Sequence, residues 1–168
     1  MMFMWFNRYN LIEAIKNNDI NQINFLLKNG KANINAKDKD GWTALIWASC
    51  KGDLETVKLL IDNGADINAK DELGWDSLIS ACMKGNMEMV EFLLSNGANL
   101  NTRTDDDGQN VLMRTAWYEY DENLALAEYF VKKGIDINAR DKMGNTALLI
   151  AAKNEQPKMV ELLLALGA

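Results

Sequence analysis

The side chains that could carry out chemistry are few and far apart in this sequence. The chain of 168 residues contains no histidine, which excludes Ser–His and Cys–His nucleophile pairs and an imidazole general base. Its two cysteines, Cys50 and Cys82, lie in apolar helical patterns, and without histidine they cannot supply the ligands of a zinc site. The acidic run Asp105–Asp107 lacks the glycine and the distal glutamate of an EF-hand loop, so it is typical of a solvated turn. We expect no catalytic residue, no metal and no cofactor, and therefore no enzyme.

Amino-acid composition and net charge further restrict the classes of partner that the chain can bind. Hydrophobic residues make up 48% and charged residues 25% of the chain, which is typical of a globular protein. The net charge is -6 and no stretch is dominated by Lys or Arg, which disfavours nucleic acid as a partner. No segment approaches the roughly 18 apolar residues of a spanning helix, and unpaired cysteines are typical of a reducing compartment. We expect a soluble, cytoplasmic protein that does not bind a membrane.

One junction between segments recurs four times along the chain. It reads "KNGKANINAKDKDGWTAL", "DNGADINAKDELGWDSL", "SNGANLNTRTDDDGQNVL" and "KKGIDINARDKMGNTALL". The steps from Gly41 to Gly74 and from Gly64 to Gly97 are both 33 residues, whereas the step from Gly97 to Gly134 is 37. A nearly fixed period of this length is typical of a protein built from stacked repeats.

Each repeat contains the signals of a turn, a short helix, a second turn and another helix. Asp38 and Gly41 bracket the turn, because Asp bonds its own backbone and Gly accepts a positive φ. Capping residues mark the helix starts: Thr43, Asp76, Asn110 and Thr146 for the first helices, and Asp19, Asp53, Asn86 and Asn123 for the second. Neither helix can bury its apolar face alone, so neighbouring pairs must stack. The sequence predicts an all-α solenoid of antiparallel helix pairs with projecting β-turn fingers.

These residues resemble the ankyrin repeat family from about Leu11 to Ala168. The resemblance rests on the period of 33 together with "DGWTALIWAS", "GDLETVKLLIDNGADINAK" and their copies. It implies an ankyrin-repeat solenoid forming a single domain over 1–168, with about five repeats. Their approximate bounds are 10–37, 38–70, 71–103, 104–140 and 141–168.

Two further expectations follow, one from the departure from the family's signature and one from the first nine residues. The Thr-Pro-Leu-His signature is only partly kept, as "TALI" and "TALL", and without histidine we expect somewhat weaker coupling between repeats. Residues 1–9 begin with the apolar stretch "MMFMWF". We interpret them as a capping segment on the first helix pair, with a partner-binding arm as the alternative.

The resemblance also implies a concave groove, formed by the finger tips and the first helices, that binds another protein. The family's partner-contacting positions fall beside the turn glycine and late in the first helix. Carried over, they are Lys39, Asp40, Trp42, Cys50, Lys51, Glu72, Leu73, Trp75, Met83, Lys84, Asp107, Gln109, Trp117, Tyr118, Lys142, Met143, Asn145, Lys153 and Asn154.

Trp42 and Trp75 are the strongest candidates among these positions. They occupy the same place one period apart, directly after the turn glycine, and exposed aromatic side chains are enriched at interface hot spots. The alternative is that each ring braces the adjacent turn. Trp47 lies on the helix itself, so we expect it in the core.

Two segments depart from the repeat pattern, one in the fourth repeat and one in the last. The fourth repeat has three extra residues, which include part of "WYEYD"; they either lengthen its first helix or form a protrusion at the rim of the groove. In the last repeat, Pro157 suits the first position of the second helix. The final "ELLLALGA" leaves Met159, Leu162 and Leu163 without a polar capping repeat. Either the array continues in a longer protein or this end of an otherwise monomeric chain associates with a partner.

Three functions are open at this point. The first is a non-catalytic module that binds another protein through the groove. The second is the scaffold or targeting portion of a longer multidomain protein whose activity lies elsewhere. The third, a small enzyme on a repeat scaffold, is disfavoured because no set of titratable groups converges. The fold leaves the identity of the partner open.

Overall fold

The computed structural model describes residues 10–30, 32–118 and 120–168. Over these ranges the chain forms ten helices and two isolated antiparallel bridges, Lys37 with Thr43 and Arg103 with Asn110. The helices are α1 (Leu11–Lys16), α2 (Ile20–Lys28), α3 (Ala44–Lys51), α4 (Leu54–Asp62), α5 (Ser77–Cys82), α6 (Met87–Ser95), α7 (Val111–Thr115), α8 (Asp121–Lys132), α9 (Ala147–Lys153) and α10 (Pro157–Ala165). Consecutive helices pair into units one to five. The predicted capping segment 1–9 lies outside the described residues.

The first helix of units two to five begins at the capping residue that its sequence predicts. Each cap has an extended backbone, and its side chain accepts a hydrogen bond from the backbone N–H three residues later. The caps are Thr43, Asp76, Asn110 and Thr146. Asp19, Asp53 and Asn86 cap the second helices of units one to three with the same hydrogen bond, from a backbone that is not extended. Pro157 is the first residue of α10, as predicted.

The prediction that Asn123 caps the second helix of unit four is wrong. Helix α8 begins at Asp121, three residues before the start that a cap at Asn123 would give, and Tyr120 precedes it without a side-chain cap. Asn123 is buried inside the helix, where its Nδ2 donates to the Tyr118 carbonyl over 3.1 Å. The extra residues of this unit shift the helix start, and the Tyr120 carbonyl accepts from the Asn123 N–H over 2.9 Å.

The extra residues of unit four do not lengthen its first helix, so that alternative is wrong. Helix α7 has only 5 residues, whereas α8 has 12 against the 9 of α4 and α6. The insertion therefore contributes to the linker between the helices and to the start of α8. In that linker the exposed rings of Tyr118 and Tyr120 stack with centroids 6.0 Å apart.

The fingers are the turns before the first helices of units two to five, at 38–43, 71–76, 104–110 and 141–146. Each finger takes the number of its unit, so the second finger is 38–43 and the fifth is 141–146. In three of them an aspartate at the first position accepts from the backbone N–H groups two and four residues later: Asp38, Asp71 and Asp141. Gly41 adopts φ +80°, and a Cβ there would lie 2.9 Å from the backbone nitrogen of Glu72 in the next finger. Glycine is therefore required both by the turn and by the contact between fingers.

The helix pairs stack into a continuous apolar core, as predicted. The first helices α1, α3, α5, α7 and α9 pack one on the next, and each second helix packs on the first helix of its own unit. Equivalent core positions one unit apart are all buried: Leu45, Leu78 and Leu112 on the first helices, and Leu60 and Leu93 on the second. None of the described helices is long and apolar enough to cross a bilayer.

The last helix buries two of the three apolar residues that we expected to be left without a covering repeat. Met159 and Leu163 are fully buried against the rest of the chain, and Leu162 is half-buried. The large apolar side chains that the last unit exposes are instead Met143 in its finger at 81%, and Leu149 at 44% and Leu164 at 55% on its helices. The helical period explains the error, because residues 159 and 163 lie one turn apart on the inward face.

Basic side chains join the units in a way that the sequence analysis did not foresee. Lys37 Nζ donates to the carbonyl of Lys70 over 2.6 Å, and Lys70 Nζ donates to that of Arg103 over 2.7 Å. Arg103 Nη1 then donates to the carbonyl of Arg140 over 3.1 Å. We call these three hydrogen bonds the basic ladder. The ladder is a source of coupling between repeats that needs no histidine.

Candidate functional site

The predicted partner-contacting residues lie on the fingers and at the C-terminal ends of the first helices. Most are accessible. The exposed ones are Lys39, Asp40, Lys51, Glu72, Leu73, Lys84, Trp117, Tyr118, Lys142, Met143 and Lys153, and the half-buried ones are Trp42, Cys50, Trp75, Met83, Asp107, Asn145 and Asn154. Gln109 differs from these, because only 4% of it is exposed.

Trp42 belongs to an aromatic cluster at the second finger. Its ring centroid is 4.6 Å from that of Trp47, with the planes tilted by 49°. Lys16 Nζ lies 4.5 Å from the centre of the Trp47 ring, within the range of a cation–π interaction. Trp47, which the sequence predicts to lie in the core, is half-buried and packs against the core at its edge. Its indole N–H donates to Asp38 Oδ2 over 2.9 Å, which gives the polar end of the ring its acceptor.

Asp38 is the electrostatic centre of that cluster. Its Oδ2 also accepts from Lys16 Nζ over 3.1 Å. Burial alone would raise the pKa of Asp38, but hydrogen bonds from the Trp47 indole, the Lys16 ammonium and two backbone N–H groups outweigh it and lower the pKa to about 2. One ionised carboxylate thus fixes the finger, the indole ring and the lysine of the preceding unit.

A surface cavity of about 170 Å³ lies between units three and four. Its wall consists of Trp75, Met83, Arg114, Trp117 and Tyr118, and we call it the Trp75 cavity. Four of these five residues are positions that the sequence predicts to contact a partner. The structure thus brings residues that are up to 43 positions apart in the sequence around one concave, aromatic surface.

Arg114 is the residue of this wall that the sequence analysis missed. Its guanidinium lies 4.6 Å from the centre of the Trp75 ring, and Nη2 is 2.9 and 3.1 Å from the two carboxylate oxygens of Asp107. It therefore joins the third finger to the fourth. The one sequence signal was a basic residue on the first helix of unit four, where units two and three have Trp47 and Ser80.

Gln109 is buried and does not offer its side chain to a partner in this structure. Its Oε1 accepts from the indole N–H of Trp117 over 2.7 Å. The Trp117 carbonyl in turn accepts from Gln156 Nε2 over 3.4 Å. Gln109 therefore orients one wall of the Trp75 cavity, which corrects its predicted role as a direct contact.

Three predicted lysines also bond within the chain. Lys142 Nζ donates to the carbonyl of Asp105. Lys51 Nζ donates to the carbonyls of Ile15 and Lys16, over 2.9 and 2.8 Å, at the end of the neighbouring helix α1. Lys153 Nζ donates to Asn145 Oδ1 over 2.6 Å. These positions are exposed but already engaged, so they are weaker candidates than the Trp75 cavity. Within the described ranges no three Cys, Asp or Glu side chains come together in a way that could hold a metal ion.

Comparison with known proteins agrees with the helix-pair architecture. A family model described as ankyrin repeats (3 copies) matches residues 11–104 and 78–168. An ankyrin repeat protein of Acanthamoeba polyphaga mimivirus is 39% identical over 64 residues, which are 38% of this chain and 9% of the relative.

Two relatives carry other names. A protein of Saccharomyces uvarum described as a palmitoyltransferase is 40% identical over 163 residues, covering 94% of this chain and 22% of its own length. An acyl-CoA-binding domain-containing protein of Dictyostelium discoideum is 51% identical over 47 residues, covering 28% of this chain and 16% of its own length. The chain thus spans less than a quarter of the length of each of these relatives.

Proposed function

Because this chain belongs to the ankyrin repeat family, we propose that it is a non-catalytic module that binds another protein through the groove of its fingers and first helices. Ankyrin repeats generally mediate protein–protein interaction. The observation that supports the groove in this chain is the Trp75 cavity, where four predicted contact residues share one concave wall. Aromatic and arginine side chains of this kind dominate the binding energy of known interfaces.

Rigid support of the aromatic side chains strengthens the proposal. Trp75 is held by Arg114, and Trp117 is held by Gln109. At the second finger, Asp38 holds Trp47, on which Trp42 packs. Side chains that are already ordered lose less conformational entropy when a partner binds.

The test uses the double variant Trp42→Ala/Trp75→Ala and a matched control, Tyr129→Ala, whose half-buried ring lies on the second helix of unit four. A partner is captured from cells that express the chain, identified, and titrated against all three proteins by calorimetry. Loss of two hot-spot residues should weaken binding at least 30-fold, the equivalent of about 2 kcal/mol. The control should bind like wild type. Equal affinity for the wild type and the double variant would show that the groove is not the binding surface.

A second candidate function is the binding portion of a longer protein whose activity lies in another domain. The palmitoyltransferase relative favours it, because nearly this whole chain aligns with only 22% of that protein. The length of the native gene product, measured by sequencing its transcript and by immunoblot, tests this candidate. A native product that ends at Ala168 would rule it out.

A further inference from the structure

The last unit presents an open surface where units two to four are covered by their neighbours. We call it the unit-five face, and it consists of Met143 in the finger, Leu149 and Ala152 on α9, and Val160 and Leu164 on α10. We propose that the unit-five face binds a sixth unit, a finger followed by a helix pair, that belongs to the same polypeptide. This inference is independent of the groove, and it narrows the second candidate function by naming the segment that packs on unit five.

The helix residues of the unit-five face have buried counterparts wherever another unit follows. Leu149 is 44% exposed and Ala152 is exposed on α9, and Val160 is half-buried on α10. Each counterpart in units two to four is at most 1% exposed. These counterparts are Ile46, Ile79 and Met113 for Leu149, Ser49, Cys82 and Ala116 for Ala152, and Val57, Val90 and Ala127 for Val160. The unit-five face is therefore one half of the interface that joins units elsewhere in this molecule.

The fifth finger lacks a contact that the two fingers before it make. The Leu73 carbonyl accepts the N–H of Asp105 in the next finger over 2.7 Å. The Asp107 carbonyl accepts the N–H of Lys142 in the same way over 2.9 Å. Met143 is the counterpart of these two acceptors; it is 81% exposed, and its carbonyl accepts no backbone N–H among the described residues. A sixth finger would supply the missing donor.

A groove of about 510 Å³ lies on the unit-five face, and unit one shows what closes such a groove. Three residues that line it are Glu155, Pro157 and Val160. Their counterparts line a cavity of about 270 Å³ between units one and two, and unit two forms the opposite wall. The unit-one wall is Asn18, Ile20 and Ile23, and the unit-two wall is Lys51, Asp53 and Thr56. Glu155 and Asn18 even share a positive φ, of 54° and 56°, so a non-glycine turn of this shape accepts a following unit.

The same comparison predicts a residue of the sixth unit. Lys51 Nζ donates to two carbonyls at the end of α1, over 2.9 and 2.8 Å. The matching carbonyls of unit five lie at the end of α9, and Glu155 places a carboxylate where unit one has the neutral Asn18. A lysine or arginine at the end of the sixth unit's first helix would therefore bond these carbonyls and also pair with Glu155.

The same polypeptide is the source that we assign to this unit. A single unit cannot bury its apolar faces alone, whereas a tethered unit binds at a high effective concentration. The connection is short, because only residues 66–70 and 99–103 separate Ala65 and Ala98, the counterparts of Ala168, from the next finger. A second copy of this chain does not fit, since the described part of its unit one begins with Asn10, the cap of α1, and offers no finger to Met143.

The native transcript gives the first test. Its sequence beyond the codon of Ala168 should encode about 33 residues with a finger glycine and two helical segments. A basic residue should end the first segment, and Asp or Asn should precede the second. A stop codon at this place would overturn the proposal. A longer product without a finger and a helix pair here would also overturn it, while leaving the second candidate function intact.

A graft tests the unit-five face itself. The chain is extended after Ala168 by a copy of residues 33–65, which contain a linker, the second finger, α3 and α4. This unit already packs beside the non-glycine turn of unit one. The extended chain should unfold in one transition, with a Tm higher by about 5 °C or more, because each added interface stabilises the units on both sides. Two separate transitions or an unchanged Tm would overturn the assignment.

A matched pair of variants locates the gain. Leu149→Gln should remove at least half of the rise in Tm, yet shift the Tm of the unextended chain by no more than about 2 °C, because its side chain is exposed there. Ile20→Gln changes another exposed apolar residue, in α2 at the opposite end of the stack, and should keep the full rise. A rise that survives Leu149→Gln would contradict the proposal. Affinity for the groove partner should not respond to Leu149→Gln, so the two functions can fail separately.

Discussion

At the scale of single residues, the aspartates at the two ends of a finger have pKa values shifted in opposite directions. Asp38 begins a finger and accepts several hydrogen bonds at the surface, so its pKa is lowered to about 2. Asp76 caps a first helix inside the stack, where burial raises its pKa more than its hydrogen bonds lower it. The ionised form therefore stabilises the fold at one position and opposes it at the other.

Lowering the pH should reveal how much the ionised Asp38 contributes to the free energy of unfolding. Its folded-state pKa lies below the ordinary value of 3.8, so its stabilisation is complete above pH 4 and is lost as the pH falls toward 2. Asp38→Asn should lower the free energy of unfolding at pH 7 by about 1 to 2 kcal/mol, and this difference from wild type should shrink toward pH 2. Urea denaturation from pH 7 to pH 2 measures it. Asp40→Asn, in the same finger but exposed, should match wild type throughout.

Asp76 should behave in the opposite sense. Because its folded-state pKa is raised above the ordinary value of 3.8, the fold loses stability as the pH rises from that ordinary value to the raised pKa, and the loss is complete above it. Asn110 performs the same capping one unit later, so Asp76→Asn should keep the cap and equal or exceed the wild-type stability at pH 7. Asp76→Ala should lose about 1 to 3 kcal/mol, because it removes the cap and leaves the buried Thr102 hydroxyl without its acceptor. A clear loss of stability in Asp76→Asn, measured by urea denaturation, would contradict this account.

At the scale of elements, the fingers are rigid because each one packs on the next. Gly74 and Gly144 both adopt φ +80° at the same place in their turns. A Cβ on Gly74 would lie 2.3 Å from the backbone nitrogen of Asp105, whereas a Cβ on Gly144 would meet nothing within 4 Å. Gly144 therefore reports only the need of the turn for a positive φ, whereas Gly74 reports that need together with the close contact between two fingers.

Alanine at these two glycines should give different losses of stability. Gly144→Ala should cost about 1 kcal/mol, the usual cost of a left-handed conformation for a residue with a Cβ. Gly74→Ala should cost roughly 3 kcal/mol, because the third and fourth fingers must also move apart. Thermal and urea unfolding of both variants measure the difference. Equal losses would mean that contact between fingers contributes little to stability.

Helix starts could be predicted from the sequence wherever a capping residue directly precedes its helix and no inserted residues shift that helix along the chain. Thr43 and Asp53 are examples, because a side chain that bonds the N–H three residues later needs no other information. Asn123 could not be assigned in this way, since the position of its helix depends on how the extra residues of unit four fold. The burial of Met159 and Leu163 depends on packing against other helices, which a pattern within the helix describes only in part.

At the scale of the whole molecule, the period could predict that Met83 and Trp117 lie on one groove, because they occupy equivalent positions of stacked units, which face the same way. It could not predict Arg114. That residue acquires its role from Trp75, 39 positions earlier, and from Asp107 on a finger. Its counterparts Trp47 and Ser80 differ from it in chemistry, so only the three-dimensional arrangement reveals its contacts.

The basic ladder should contribute measurably to the coupling between units. Arg103 bonds the Gly108 carbonyl of the following finger and the Arg140 carbonyl one unit on. Arg140 bonds only the Gly144 carbonyl of the following finger among the described residues. Arg103→Met should therefore lower the free energy of unfolding by about 1 kcal/mol more than Arg140→Met. Urea denaturation of the two variants measures the rung between units, and equal effects would show that this rung is not stabilising.

The rungs of that ladder join residues 33, 33 and 37 positions apart, and the contacts between fingers have a similar reach. No contact of this kind requires the two ends of the chain to meet. The entropy lost in closing a loop rises with loop length, and folding slows as contacts become more distant in sequence. Adding a unit to such a chain lengthens the molecule but not its loops, so the average sequence separation of its contacts, and with it the barrier to folding each unit, should not grow with chain length.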